Sequence, residues 1–178
     1  MLTCALVAAA PAPKSPPSLT LKNDSGSGVK LGSLKNKREV LVLIFGASTC
    51  PVTSLYWERF KGLWNNFHEK DVAIYLVGGN SDDSMEALLK PIKDHDMEIP
   101  VMWDDGHAVA KAFGLEHTPE AVVLGKNWEV LYRGRIDDAW RDETAVKERY
   151  LDSAINAALK EKKSSDHLDD SFLGSHMR

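Results

Sequence analysis

The stretch from Val40 to Thr53 constrains the chain more than any other. Val40 to Phe45 is an uninterrupted run of β-branched and apolar residues without a charge, the pattern of a strand buried on both faces. Gly46 to Thr49 reads as a short turn. Pro51 then stands where a helix favours a residue whose N–H would have no partner. Val52, Leu55, Tyr56, Phe60, Leu63, Trp64 and Phe67 follow at helical spacing. Cys50 is therefore expected at the mouth of a helix, where unpaired N–H groups and the helix dipole favour a thiolate. The competing reading is a buried free cysteine, inert and packed as a small apolar group.

The rest of the chain builds a sheet around that run. Residues 18–22 alternate like an edge strand, 23–28 supply a turn and 29–31 return, which makes a hairpin. Residues 32–39 read as a basic surface connection. A second buried strand over 71–77 completes a right-handed parallel unit with the first. Ser81, Asp82 and Asp83 are candidate caps for a helix with Met85, Leu88, Leu89 and Ile92 on its apolar face, and Pro91 should kink or split it. A short strand over 99–103 and a helix over 107–113, stopped by Gly114, come next. Residues 120–124 and 130–135 form an antiparallel pair. A final helix from Asp142 would bury Val146, Tyr150, Leu151, Ile155 and Leu159.

Strand, turn, Cys-Pro, helix, with Thr118-Pro119-Glu120 leading into a later strand, resembles the thioredoxin superfamily. The similar branch is the redoxins grouped with alkyl hydroperoxide reductase/thiol-specific antioxidant and TlpA-like proteins. Further matching landmarks are residues 19–22, 29–35 and 132–138, so the likeness covers most of the chain. It implies an α/β thioredoxin-like fold: a central mixed β-sheet flanked by helices, with an added N-terminal β-hairpin. It also implies that Pro119, often cis in such folds, lies across from Cys50, and that Thr118 and Glu120 edge a docking loop for peptide or thiol.

Cys50 has no second thiol at position 53, where dithiol members carry one; Thr53 stands there instead. Thioredoxin-style release of a mixed disulfide by an internal partner is thus impossible, and an external thiol must finish any exchange. Thr53 is either a hydrogen-bond donor to the Cys50 thiolate or a surface threonine. Peroxiredoxins place a proline seven residues before their cysteine and Thr or Ser three before it; here those positions are Leu43 and Ala47, with Ser48 and Thr49 out of register. Arg133 or Arg135 could polarise a peroxide, or simply form salt bridges at the sheet edge. Glu120 is a proton acceptor or a surface carboxylate, and His117 a candidate base. The expected site comprises Cys50, Thr53 and Pro119, with Thr49, Pro51, Thr118, Glu120 and Arg135 contacting substrate. The function expected is a thiol-dependent oxidoreductase acting on peroxide or disulfide. The alternative is a redox-inactive module docking a protein at the Pro119 groove.

Composition narrows the partners. A formal net charge of −4 gives no reason to expect nucleic acid. The two cysteines, Cys4 and Cys50, cannot build a disulfide framework or a multi-cysteine zinc site. The histidines lack paired ligand spacing, so no metal is expected, and no Gly-rich phosphate loop calls for an organic cofactor. The tryptophans read as core or rim, with Trp57 a candidate rim residue. Residues 1–17 form an apolar leader with a proline-rich linker. It resembles the end of a secretory signal but lacks a basic start, so export and cytoplasmic retention both stay open. That run is too short to span a bilayer. The domain is expected over 18–160, and the charged, aperiodic 161–178 as a disordered tail.

Overall fold

The computed structural model describes residues 13–160. Cys4, most of the leader and the tail expected at 161–178 lie outside the described residues.

The central strand, β3 (Val40–Phe45), is buried at every position. Its alternation divides the core. Val40, Val42 and Ile44 face one layer with Phe60, Leu63, Phe67, Leu88, Ile92, Leu151 and Ile155. Leu41, Leu43 and Phe45 face the other with Leu31, Leu34, Val109, Phe113 and Leu115. A strand apolar on both sides is stable only when both faces are covered. The helices supply that cover.

Seven strands form one sheet in the order β2-β1-β5-β4-β3-β6-β7. β4 (Val72–Gly78) runs parallel to β3, and β5 (Val101–Trp103) parallel to β4. β6 (Glu120–Leu124) lies antiparallel to β3 on its other side and pairs with β7 (Val130–Gly134). The expected hairpin is β1 (Thr20–Lys22) with β2 (Gly28–Lys30), joined to β5 through Lys22 and Trp103. The mixed sheet, its flanking helices and the added hairpin are as the sequence implied.

Several local expectations are corrected. The stretch 32–39 is not merely a surface connection: it overlaps a short helix, α1 (Leu31–Lys35), whose Lys35 is buried. The Lys35 ammonium donates to the carbonyls of Gly125 and Lys126 at 2.6 and 2.7 Å and sits over the Trp128 ring. Burial lowers its pKa, because no carboxylate contacts the charge directly. No α-helix starts at Pro51. Thr53–Leu55 is a 3-10 turn, and α2 (Trp57–Phe67) begins two residues later. The cause is Thr53, which is drawn inward under the end of β3, where a Cβ on Gly46 would meet its methyl at 3.1 Å. Trp57 is core rather than rim.

The next helix, α3 (Met85–Asp94), is capped by the Ser84 hydroxyl, which accepts from the Ala87 N–H, and not by residues 81–83. It continues through Pro91 unsplit, because Leu88 and Ile92 on either side of the proline are both buried. α4 (Ala108–Ala112) follows β5. After β7 a 3-10 turn at Glu143–Ala145, capped by Asp142, replaces the start of the last helix; α5 covers 150–160.

Beneath α2 lies a buried ion pair. Arg59 donates to Asp137 at 2.7 Å, with side-chain exposures of 4% and 2%, and the Tyr56 hydroxyl donates to the other Asp137 oxygen at 2.8 Å. Burial and the adjacent carboxylate hold the Tyr56 phenol well above its ordinary pKa. Removing one partner of such a pair strands a desolvated charge, which costs about 3–5 kcal/mol. Asp137→Ala is therefore expected to lower the urea midpoint by that much stability. Asp105→Ala, which removes the exposed Lys22–Asp105 pair, should cost less than about 1 kcal/mol.

Candidate active site

The register of β3 against β6 places Phe45 opposite Glu120. Because the two strands are antiparallel, the loop leaving β3 and the loop entering β6 meet at one end of the sheet. The first carries Cys50 and the second Thr118 and Pro119, whose peptide bond is cis. Cys50 is partly exposed, and its thiol donates to the Thr118 carbonyl at 3.5 Å. The sequence-based pairing of these two loops is thus what the fold produces.

The sulfur sits among opposing influences. Burial pushes its pKa up. The Thr118 side chain, the Thr53 N–H and hydroxyl and the Val52 N–H all favour the anion and together outweigh it, so the thiol lies below its ordinary value. The Thr118 carbonyl accepts only from the protonated form and cannot stabilise the thiolate. Thr53 is fully buried, which removes the surface alternative. Its oxygen accepts from the Ala47 N–H at 3.4 Å, leaving its own proton to turn elsewhere.

The remaining expected residues fall into two groups. Thr118, Pro119, Glu120 and Arg135 line a recess of about 180 Å³, together with Val52, Tyr56 and Trp140. Thr49 and Pro51 are exposed on the turn before it. Glu120 accepts from the N–H groups of Glu116 and His117, both at 3.0 Å, so one of its oxygens braces the loop. Arg133 turns away and donates to the Phe113 carbonyl at 2.8 Å. Arg135 lies just past β7 rather than inside it, over the Tyr150 ring.

Some features of the site escaped the sequence. Asp83 accepts from both the N–H and the hydroxyl of Ser48, at 2.6 and 2.5 Å, and so clasps the Cys50 loop to the chain after β4. Ser48 is thereby held by Asp83, and the positions three and seven before Cys50 remain Ala47 and Leu43, both fully buried. Trp140, read only as one of the core or rim tryptophans, lines the Pro119 recess, and the Arg59–Asp137 pair went unread. Arg59 stands one helical turn after Tyr56, the only sequence signal that both reach one buried acceptor.

Fold and sulfur together define a redoxin of the thioredoxin superfamily. The AhpC/TSA family model matches residues 13–138. The chain belongs to that family. It is similar to the chloroplastic peroxiredoxin Q of Sedum lineare, 23% identical over 140 residues that cover 79% of this chain and 73% of the relative. Among solved structures it resembles an uncharacterized conserved protein from Geobacillus kaustophilus, with TM-score 0.73 and 25% identity over 85% of this chain and 83% of the other. A putative thioredoxin from Neisseria meningitidis, 22% identical with TM-score 0.66, covers 88% of this chain and 97% of its own. Among the described residues no helix is long and apolar enough to cross a membrane.

The balance of burial and donors predicts the thiol's titration. Iodoacetamide alkylation of Cys50 should rise with a midpoint below the roughly 8.5 of free cysteine. Thr53→Val, which removes a donor to the anion, should move that midpoint upward.

Proposed function

We propose that this protein is a thiol-dependent oxidoreductase that acts through a single cysteine on peroxide or disulfide substrates, with an external thiol as reductant. The observation that carries this reading is the Cys50 sulfur itself: partly exposed, held below its ordinary pKa, and facing the Thr118-Pro119 loop. A buried inert cysteine would lack both the access and the donors.

In the first step the Cys50 thiolate attacks one atom of an O–O or S–S bond. A hydroperoxide ROOH leaves Cys50 as sulfenic acid and departs as ROH after taking a proton. A disulfide leaves a mixed disulfide on Cys50 and releases one thiol. External thiol condenses with the sulfenic acid, losing water, to give the same mixed disulfide. A second thiol then attacks it, restores the Cys50 thiol and leaves as a disulfide. Thr53 and Thr118 stabilise the thiolate at the start and at the end. Pro119, with Thr49, Pro51, Glu120 and Arg135, frames the entry for substrate. No organic cofactor has a role in this sequence of steps.

Mass spectrometry of Cys50 after brief treatment with hydrogen peroxide or a small disulfide should show one added oxygen or one thiol adduct. External thiol should reverse either. Cys50→Ser should abolish turnover of both substrates. Full turnover in that variant would remove Cys50 from the mechanism, and an unmodified sulfur in the parent would leave the Pro119 recess as a docking surface without redox chemistry.

A further inference from the structure

The recess beside Pro119 has one wall set by the same buried pair that ties α2 to the segment after β7. Trp140 is 42% exposed, while the segment that carries it is tied down by buried charge. Arg59 donates to the carbonyls of Ala139 and Trp140 at 3.1 and 3.5 Å, and Asp137 accepts from the Ala139 N–H at 3.1 Å. Burying two charges costs several kcal/mol of desolvation for each ion, and their attraction only partly offsets it. Here that expense fixes the backbone of an arm ending in an exposed indole, with the Arg141 guanidinium over its ring at 4.5 Å. A single exposed apolar residue needs no explanation by itself. One whose backbone is tied down, and whose ring lines a recess beside Thr118 and Pro119, is placed as a binding anchor.

Resting on the function proposed above, we infer that Trp140 is a specificity-determining residue: it receives the apolar side chain beside the cysteine of a polypeptide disulfide. Arg59 and Asp137 are positioning residues that act through it. The recess, at about 180 Å³, has room for one medium-sized side chain. Its charged lining is of both signs, and the acidic members are already engaged: Asp137 by Arg59, and Glu120 and Asp138 by backbone N–H groups. The apolar wall is what is left to select the guest. Val52, Pro119 and Trp140 supply the apolar contact. The sulfur's surroundings favour a disulfide over a hydroperoxide. The position three residues before Cys50 holds Ala47, which offers no hydroxyl, and Ser48 is committed to Asp83. Disulfide exchange needs no donor array on the leaving atom when the departing thiolate is itself stable.

The test uses peptides whose one cysteine is a mixed disulfide with thionitrobenzoate, flanked by Leu, Phe or Ser. The Cys50 thiolate attacks the peptide sulfur. A Cys50–peptide disulfide forms, the bond to thionitrobenzoate breaks, and its electron pair leaves with the coloured anion. External thiol then takes the peptide as a new disulfide, and its proton returns to Cys50. With the unaltered protein, Leu or Phe should lower the half-saturating concentration about tenfold against Ser, the scale of burying one apolar side chain, with the limiting rate unchanged. Trp140→Ala should erase that preference and Trp140→Phe should keep most of it.

Iodoacetamide alkylation of Cys50 should be the same in all three proteins. Equal half-saturation for the three peptides, or a preference that survives Trp140→Ala, overturns the inference while normal alkylation leaves the redox reading standing. A preference seen only for cumene hydroperoxide over hydrogen peroxide overturns the polypeptide assignment. No release of thionitrobenzoate from any peptide overturns the inference and removes disulfides from the substrates of the redox reading, which the peroxide treatment of Cys50 then tests alone.

Discussion

The pairing of Phe45 with Glu120 is the constraint on which the site depends. Two strands that ran parallel would put the end of one beside the end of the other, and the proline loop would emerge on the far side of the sheet from the sulfur. The antiparallel register instead brings the last residue of β3 to the first of β6. Five residues onward along one chain is Cys50, and one or two residues back along the other are Pro119 and Thr118. The 3.5 Å contact between the sulfur and the Thr118 carbonyl follows from that geometry. A slip of one residue would turn Val42 and Ile44 from one core layer into the other, so the same packing that stabilises the sheet fixes the distance across the site.

How much of this was legible in the sequence depended on the range of the interactions. The central strand was read because six consecutive apolar residues admit few other fates. The hairpin and the β6–β7 pair were read from alternation and turn residues, which are local signals. The misreadings were places where tertiary contacts overrode local rules. Pro91 sits inside α3 because the helix buries Leu88 and Ile92 around it. The α-helix after Cys50 begins late because Thr53 is pulled under Gly46. Lys35 looked like one more surface lysine, yet its partners, the Gly125 and Lys126 carbonyls, lie about ninety residues along the chain. No periodicity encodes such a contact.

The site was legible in kind and incomplete in detail. Cys50, Thr53, Thr118 and Pro119 stood out because each occupies a position tied to a strand end. Asp83 could not be found in the same way. It read as one of several helix caps, a role that Ser84 takes instead, leaving the Asp83 carboxylate free to hold Ser48. Asp137 was visible only as part of an acidic pair after a strand. One of those two adjacent carboxylates is buried against Arg59, and the other accepts from the exposed N–H groups of Lys147 and Glu148. Adjacent residues in an extended segment point to opposite sides, but which side is the interior depends on α2, nearly eighty residues earlier.

The electrostatic arrangement sets the reactive charge apart from the structural ones. The groups that shift the Cys50 thiol are its own burial and neutral donors, the threonine side chains and backbone N–H groups, without a cation among them. The strong charges, Arg59 and Asp137, neutralise each other beneath α2 and work on the backbone of the 139–140 segment. Neutral donors favour a thiolate through short-range hydrogen bonds rather than through the field of a full charge. The intrinsic nucleophilicity of a thiolate falls as the thiol pKa falls, so the opposing effect of burial on Cys50 works against that loss. Cys50 is also a poorer leaving group than a strongly acidic thiol. On the function proposed above, a mixed disulfide on Cys50 would wait for a second thiol, because position 53, where an internal one would stand, holds a threonine.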